Sequence, residues 1–344
     1  MLSNSTISLV QHAPSFDSEA AVHLAQRLYG LEVNASSLPS ERDQNFLLTT
    51  QSHEKYVLKI ANSREDRALL VAQCNAMTHL SSHGSLSQSV VPSVAGNILE
   101  EVESPSGATH FLRLLTYLQG EPLARTTRRP SVLLRDLGRQ LGRMDRALLG
   151  YDDPAVHRKF HWDLKNGGTV VAEYVSLVQD PRLRTEISEF ATAFERDTAP
   201  FLPNLRQSVI HGDANDYNVL VSTDAPAISG FIDFGDIVYS YTTADLAIAL
   251  AYVLLQTETP LEIAVPIVAG YEEVVPLEDD EIGALWQLML MRLCMSVCIA
   301  AFQMHERPDN EYLDVSQSAI VSSLPKLLRV DRKTARLAFR AKGT

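Results

Sequence analysis

Three short segments carry the residue types that phosphoryl chemistry needs. His211-Gly212-Asp213-Ala214-Asn215-Asp216-Tyr217-Asn218 is followed by the apolar pair Val219-Leu220. Phe231-Ile232-Asp233-Phe234-Gly235-Asp236 comes next, and Tyr56-Val57-Leu58-Lys59-Ile60 lies far upstream. In chain order they give a lysine in a strand-like run, then H-x-D-x-x-x-x-N, then D-F-G. Moving a γ-phosphoryl group to a hydroxyl requires that the hydroxyl be aligned and that its proton have a destination. Asp213 would orient the hydroxyl and take that proton. The charge on the phosphates calls for Mg²⁺, which prefers oxygen ligands and keeps several waters; Asn218 and Asp233 would supply two of the oxygens. Lys59 would hold the phosphates as a point charge on a flexible stem.

Each piece has a plainer reading when taken alone. Asp213 would be a turn or cap aspartate, Asp-Phe-Gly an ordinary turn, and Lys59 a solvated strand lysine. Their joint occurrence decides the matter, with Asn218 five residues after Asp213 and Asp233 fifteen after Asn218. No G-x-x-x-x-G-K-S/T loop is present, so a P-loop site is not expected.

The elements that must position these residues are read from periodicity. Residues 17–29 read as an amphipathic helix, with Ala21, Leu24, Ala25 and Leu28 on one face and Gly30 ending it. Asn45-Phe46-Leu47-Leu48 and Lys55 to Ile60 read as strands, and 64–82 as a helix. Strand-like runs come next, near 89–100 and 109–118. Gly120-Glu121-Pro122 breaks the pattern and marks a boundary. Beyond it, 131–149 and 185–206 read as helices, 207–237 as a β-rich interval, and the remainder as long apolar helices. The expected organisation is an α+β fold in two lobes: a small β-rich lobe over 1–119 and a large, mainly helical lobe over 120–344.

The composition fits this reading. The chain has 344 residues with 45% hydrophobic and 21% charged side chains, which excludes a disordered chain. Thirty basic against 42 acidic residues give a net charge of −12, which argues against nucleic acid as the main partner. Three cysteines are too few for a disulfide scaffold and suit a reducing, cytoplasmic setting. Cys294 and Cys298, four apart on a helix, read as buried thiols. Met1 to Ser15 lacks the apolar core of a secretory signal. Gly283 to Met304 is mostly apolar over 22 residues, but Arg292 in its middle favours a buried helix over a membrane span.

The pattern H-G-D-x-x-x-x-N followed by D-F-G-D resembles the aminoglycoside phosphotransferase and choline kinase superfamily. Protein kinases carry arginine rather than glycine after the histidine. Within the superfamily the chain is most similar to the hydroxylysine kinases. The phrases that carry this are Ser40 to Phe46, Tyr56 to Ile60, Leu112 to Leu118, His161 to Asn166, His211 to Asn218 and Gly230 to Asp236. The resemblance implies a protein-kinase-like two-lobed fold, with nucleotide binding in the N-terminal lobe and catalysis and acceptor binding in the C-terminal one. It implies Asp213 as base, Asn218 and Asp233 as metal ligands, and Lys59 on the phosphates. It puts Ser40 to Phe46, with Ser40, Asn45 and Phe46 as contacts, on a nucleotide-covering hairpin, and Leu115 to Leu118, with Thr116 and Leu118 as contacts, at a hinge whose backbone meets the base. Asp245 resembles an aspartate that braces the catalytic loop, and His211 a residue that holds the loop by hydrogen bonds. One departure stands out: the helix glutamate that normally pairs with the lysine is replaced by Val71, with Glu65 on the first turn of the same helix as a substitute.

Acidic and aromatic residues crowd the motifs. Asp216, Asp236 and Tyr241 would favour a cationic acceptor, while Asp216 and Asp236 serve equally well in metal or turn geometry. Trp162, Asp163 and Lys165 are candidate lining of the acceptor pocket. Arg113 or Arg292 would neutralise an acceptor carboxylate, although a core salt bridge is the better reading of Arg292. The expected reaction is transfer from GTP or ATP, with Mg²⁺, to a small amino alcohol or hydroxylated amino acid, 5-hydroxylysine first. Ethanolamine, choline, homoserine or an aminoglycoside are the alternatives, and a kinase-like binding module with little turnover is a third reading. The resemblance also implies a link to a class III pyridoxal-phosphate-dependent aminotransferase acting as a phospho-lyase. Neither nucleic acid nor membrane is an expected partner.

Overall fold

A computed structural model describes residues 14–40, 43–104, 107–306 and 311–341. Most of the Met1 to Ser15 stretch, and Glu41 and Arg42 of the expected hairpin, lie outside the described residues. The chain divides into two compact units, Met1–Gln119 and Gly120–Thr344.

The first unit opens with α1 (Ser18–Tyr29). Asp17 caps it by accepting from the Ala20 N–H at 2.8 Å, and Gly30 ends it in the left-handed region. Then come β1 (Val33–Leu38), β2 (Gln44–Thr50), β3 (Lys55–Ile60), α2 (Arg67–Ser82), β4 (Val90–Val91), β5 (Glu100–Glu103) and β6 (Thr109–Thr116). The sheet runs β1-β2-β3-β6-β4, with β5 also beside β6, and every pairing is antiparallel. The alternation of β2, β3 and β6 sends Phe46, Leu48, Leu58, Ile60, Leu112 and Leu114 to one face, where they pack with α1. Asn45, Lys59 and Arg113 stand side by side in register on the other face. Two boundaries differ from expectation. Asp66 caps α2, so Glu65 precedes the helix instead of lying on its first turn. The run near 89–100 shrinks to the two-residue β4, because most of it forms turns.

The second unit contains β7 (Glu121–Pro122), α3 (Ser131–Leu148), α4 (Gly167–Tyr174), α5 (Pro181–Asp197), β8 (Gln207–Ile210), β9 (Val219–Val221), β10 (Ile228–Phe231), β11 (Val238–Tyr241), α6 (Thr243–Val253), α7 (Pro260–Glu272), α8 (Asp279–Glu306), α9 (Glu311–Leu327) and α10 (Arg332–Arg340). The β-rich interval forms a sheet β10-β9-β7 and a ribbon β11-β8. Asp180 and Pro181 start α5 four residues earlier than expected, by capping and by a proline at the first turn. Helices α3 and α7 cross so closely that a Cβ on Gly138 would overlap the Ile267 carbonyl, and one on Gly270 the Arg135 carbonyl. Helix α8 packs against α4, α6, α9 and α10. Among the described residues it is the one helix long and apolar enough to cross a membrane, and 83% of its apolar window is buried inside the protein. Cys74, Cys294 and Cys298 are free and buried.

Candidate active site

The site is built on the chain that leaves β8. After Ile210 it turns at His211-Gly212-Asp213. The buried carboxylate of Asp245, on the first turn of α6, accepts from the His211 N–H at 2.7 Å and the Gly212 N–H at 2.8 Å. This is the bracing aspartate that the sequence suggested. Gly212 has φ +78°, and a Cβ there would overlap the carbonyl oxygen of Asp236. A glycine is therefore required after the histidine. His211 Nδ1 accepts from the Asp213 N–H at 3.2 Å. That leaves Nε2 to donate to the Ile232 carbonyl at 3.0 Å, and the ring packs on Phe234. His211 thus joins the Asp213 turn to the segment that carries Asp233.

Asp213 is held on both carboxylate oxygens. Oδ2 accepts from Asn215 Nδ2 and Asn218 Nδ2, each at 2.9 Å. Oδ1 accepts from Arg292 Nη2 at 2.9 Å. Burial pushes the Asp213 carboxyl up to about 7, with Asp236 and Asp233 adding to the rise and Arg292 and Asn215 opposing it. The second hydrogen of Asn218 Nδ2 goes to the Asp213 carbonyl at 2.9 Å. Both amide hydrogens of Asn218 are thereby committed, which leaves its Oδ1 as the atom able to ligate a cation. The Ile232 N–H donates to the Asn218 carbonyl at 2.9 Å, tying β9 to the start of the Asp-Phe-Gly turn. Asp233 is exposed and sits at φ +64°, a conformation uncommon for a residue with a side chain.

The donor set fits a hard divalent cation. An amide oxygen and a carboxylate are Mg²⁺ ligands by type, and the mutual repulsion of Asp213, Asp233 and Asp236 is what a cation would relieve. Among the described residues no three His, Cys, Asp or Glu side chains form a metal cage by themselves.

The other expected residues divide. Trp162 reaches this group: its carbonyl accepts from Arg292 Nη1 at 2.9 Å, and its ring lies 4.6 Å from that guanidinium. Asp236 is buried, with its carbonyl against Gly212. Asp216 faces Arg129 Nη2 at 3.8 Å, and burial raises its carboxyl to about 6 against the pull of that arginine. Tyr241 belongs to a separate cluster on β11. There Lys165 Nζ lies 5.7 Å from its ring and donates to Gln207 Oε1 and the Tyr239 carbonyl. Asp163 Oδ1 accepts from Ser240 Oγ in the same cluster. Asp163 and Lys165 tie a turn to the β8–β11 ribbon, and of these three residues Trp162 is the one linked to Asp213, through Arg292.

In the first unit, Lys59 is 7% exposed between Asn45 and Arg113. Val71 packs with Ala61, Leu70 and Leu99. The buried polar residue of α2 is instead Gln73, which accepts from Arg113 Nη1 at 2.7 Å. Arg113 is therefore a brace between strand and helix. Phe46 lies in the core, and Ser40 is exposed before β2. The Thr116 N–H and carbonyl are committed to Ser89 and Gln88, whereas the Leu118 backbone makes no hydrogen bond among the described residues.

Three features lie outside the sequence motifs. Arg292 makes the core salt bridge that its position implies, and the partner, which the sequence does not reveal, is Asp213. Asp145 of α3 lies wholly buried, accepts from the Tyr271 hydroxyl at 2.6 Å and meets Asp245. Arg158 Nη2 donates to the Gly235 and Ile237 carbonyls, each at 3.2 Å, clamping the turn that carries Asp233. A charged residue at a helical core position was the available signal for the first two.

A family model described as "Phosphotransferase enzyme family" matches residues 35–285. The chain is similar to the hydroxylysine kinase of Danio rerio, 31% identical over an alignment of 335 positions, with 93% of this chain and 94% of the relative covered. It is also similar to the hydroxylysine kinase of Xenopus laevis, 33% identical over an alignment of 328 positions, with 88% of this chain and 87% of the relative covered. Among solved structures, a microcompartment-associated aminopropanol kinase matches with a TM-score of 0.72 at 17% identity, covering 95% of this chain and 99% of that one. An amicoumacin kinase in complex with AMP-PNP, Ca²⁺ and Ami matches at 0.69 and 18% identity, covering 92% and 97%. At such identities the structural likeness speaks for the fold: an antiparallel-sheet unit followed by a mainly helical one.

Proposed function

The chain belongs to the phosphotransferase enzyme family, with the hydroxylysine kinases, and from that membership we propose that it transfers the γ-phosphoryl group of GTP or ATP to the hydroxyl of an amino-bearing acceptor, 5-hydroxylysine first. It is a kinase acting on a hydroxyl group and uses a nucleotide co-substrate. The observation that carries the finer reading is the Asp213 carboxylate, anchored on both oxygens and bonded to Asn218, the first of the two proposed metal ligands.

Asp213 accepts the hydroxyl proton as the acceptor oxygen bonds to phosphorus and the bond to the nucleoside diphosphate breaks. Asn218 and Asp233 would hold Mg²⁺, which would supply charge neutralisation on the phosphates. Asp245 and His211 keep the turn in place. Lys59 in the first unit binds the phosphates, the Leu118 backbone meets the base, and Ser40, Asn45 and Phe46 belong to the covering hairpin. The first unit is thus the nucleotide-binding one and the second the catalytic and acceptor-binding one. Asp216, Asp236 and Trp162 remain the proposed acceptor environment, with Trp162 supported best by its place beside Arg292, whereas Tyr241 stands with Lys165 on β11 and has no such support.

The names hydroxylysine kinase, of the curated relatives, and aminopropanol kinase, of a structure of like fold, support an acceptor bearing both hydroxyl and amine. A phosphate ester near an amine is a good leaving group for a pyridoxal-phosphate-dependent phospho-lyase, so a class III aminotransferase-type enzyme is the proposed consumer of the product. Nucleotide dependence and three free cysteines fit a cytoplasmic enzyme.

The test is a panel of 5-hydroxylysine, ethanolamine, choline, homoserine, 1-amino-2-propanol and an aminoglycoside, each with Mg²⁺ and either ATP or GTP. Nucleoside diphosphate release is the readout. Highest kcat/KM on 5-hydroxylysine supports the reading. Preference for another acceptor replaces the substrate, and nucleotide binding without turnover on any of them replaces the enzyme with a binding module.

A further inference from the structure

We infer that Arg292 is a positioning residue of the phosphoryl-transfer site, fixing the Asp213 carboxylate so that Oδ1 is the atom that meets the acceptor hydroxyl. The inference rests on the reading of Asp213 as proton acceptor.

A carboxylate offers about two acceptor sites on each oxygen. On Oδ2 both are filled, by Asn215 Nδ2 and Asn218 Nδ2. On Oδ1 one is filled, by Arg292 Nη2, and among the described residues the other is not. The hydroxyl therefore approaches Oδ1, the oxygen that the guanidinium orients.

Arg292 is itself held from three sides. Nη1 donates to the Trp162 carbonyl at 2.9 Å and Nε to the Tyr252 hydroxyl at 3.3 Å. The Trp162 ring lies 4.6 Å from the guanidinium and the Tyr252 ring 5.8 Å. The planar fork thus has one orientation, which a lysine ammonium would not inherit. The side chain sits between Met291 and Leu293 on an apolar helix, where burying a charge is costly. Its side chain is 2% exposed and that of Asp213 is 22% exposed, so the carboxylate meets the ligand and the guanidinium acts through it. This excludes direct capture of an acceptor carboxylate by Arg292 in this conformation.

The experiment compares Arg292→Met, Arg292→Lys, Arg292→Ala and Asp213→Asn in the full chain, using whichever panel acceptor the wild type turns over. The expected result is a fall in kcat of about 100-fold in Arg292→Met, the scale of a misplaced reacting group, with nucleotide KM unchanged. Arg292→Lys falls between. Guanidinium ion at non-denaturing concentration restores part of kcat to Arg292→Ala and none to the wild type. Wild-type kcat in a folded Arg292→Met overturns the inference. If Arg292→Met does not fold, wild-type kcat in Arg292→Lys, or no guanidinium rescue of Arg292→Ala, does so instead. Full turnover in Asp213→Asn removes the base reading. Its loss there, with Arg292→Met fully active, removes the positioning role alone.

Discussion

Asp145 of α3 and Asp245 of α6 meet carboxyl to carboxyl in the interior of the second unit. Two adjacent buried carboxyls cannot both be ionised. Asp245 accepts from two backbone N–H groups, which favours its anion, and burial together with that neighbour pushes Asp145 well above the usual carboxylate range. Asp145 Oδ1 is buried with no other partner among the described residues. Asp145 is therefore the member of the pair that keeps the proton and turns it toward Asp245. The Tyr271 hydroxyl donates to Asp145 in turn, so one chain of polar contacts runs from α7 to the turn bearing Asp213.

This sets a pH dependence of stability. Asp145 binds its proton more tightly folded than unfolded, so stability falls as pH rises from the unfolded value of about 4 toward the folded one. Asp145→Asn supplies a permanent N–H donor to Asp245 and should flatten that slope. Urea titrations at several pH values between about 5 and 8 measure it. An unchanged slope in the variant would show that the proton resides elsewhere.

A proton acceptor works ionised. With its carboxyl held at about 7, Asp213 is increasingly protonated in more acidic solution. We expect kcat/KM to drop by about tenfold per pH unit well below that value. Raising Mg²⁺, which favours the anion, should draw the limb to lower pH. A profile that stays flat down to about pH 5 contradicts this.

Gly212→Ala places a Cβ where φ is +78° and where the Asp236 carbonyl stands. The backbone strain alone is about 1–2 kcal/mol. We expect a loss of at least that much stability in denaturant titration, together with a fall in kcat, because the turn aims Asp213. Nucleotide affinity measured by calorimetry should change little. Wild-type kcat in this variant would mean that the turn tolerates displacement.

The sequence was most informative where a local rule operates. The Asp17 cap, Gly30 and the apolar spacing between them specify α1, and alternation specifies β2 and β3 together with the face that carries Lys59. The turns after β8 and β10 were legible as motifs because their residue types are demanded by chemistry at fixed spacing. What lay hidden was set by partners distant in the chain. Arg292 meets Asp213 across 79 positions. The early start of α5 was signalled by Asp180-Pro181 and outweighed by the apolar pattern downstream. Val71 stands at the position of the usual helix glutamate, while Gln73, half a turn away on that helix, makes a polar tie from α2 to the sheet through Arg113.

The grip of Asp245 on the loop has a consequence for how the sequence is free to drift. Its two oxygens hold N–H groups of the main chain, which every amino acid except proline provides. The restraint is therefore indifferent to which side chains occupy positions 211 and 212. Their identities are imposed separately, by the Ile232 carbonyl on His211 and by the Asp236 carbonyl on Gly212. Mutation short of proline keeps both N–H donors, so what it can change is how well residues 211 and 212 let the backbone present them to Asp245.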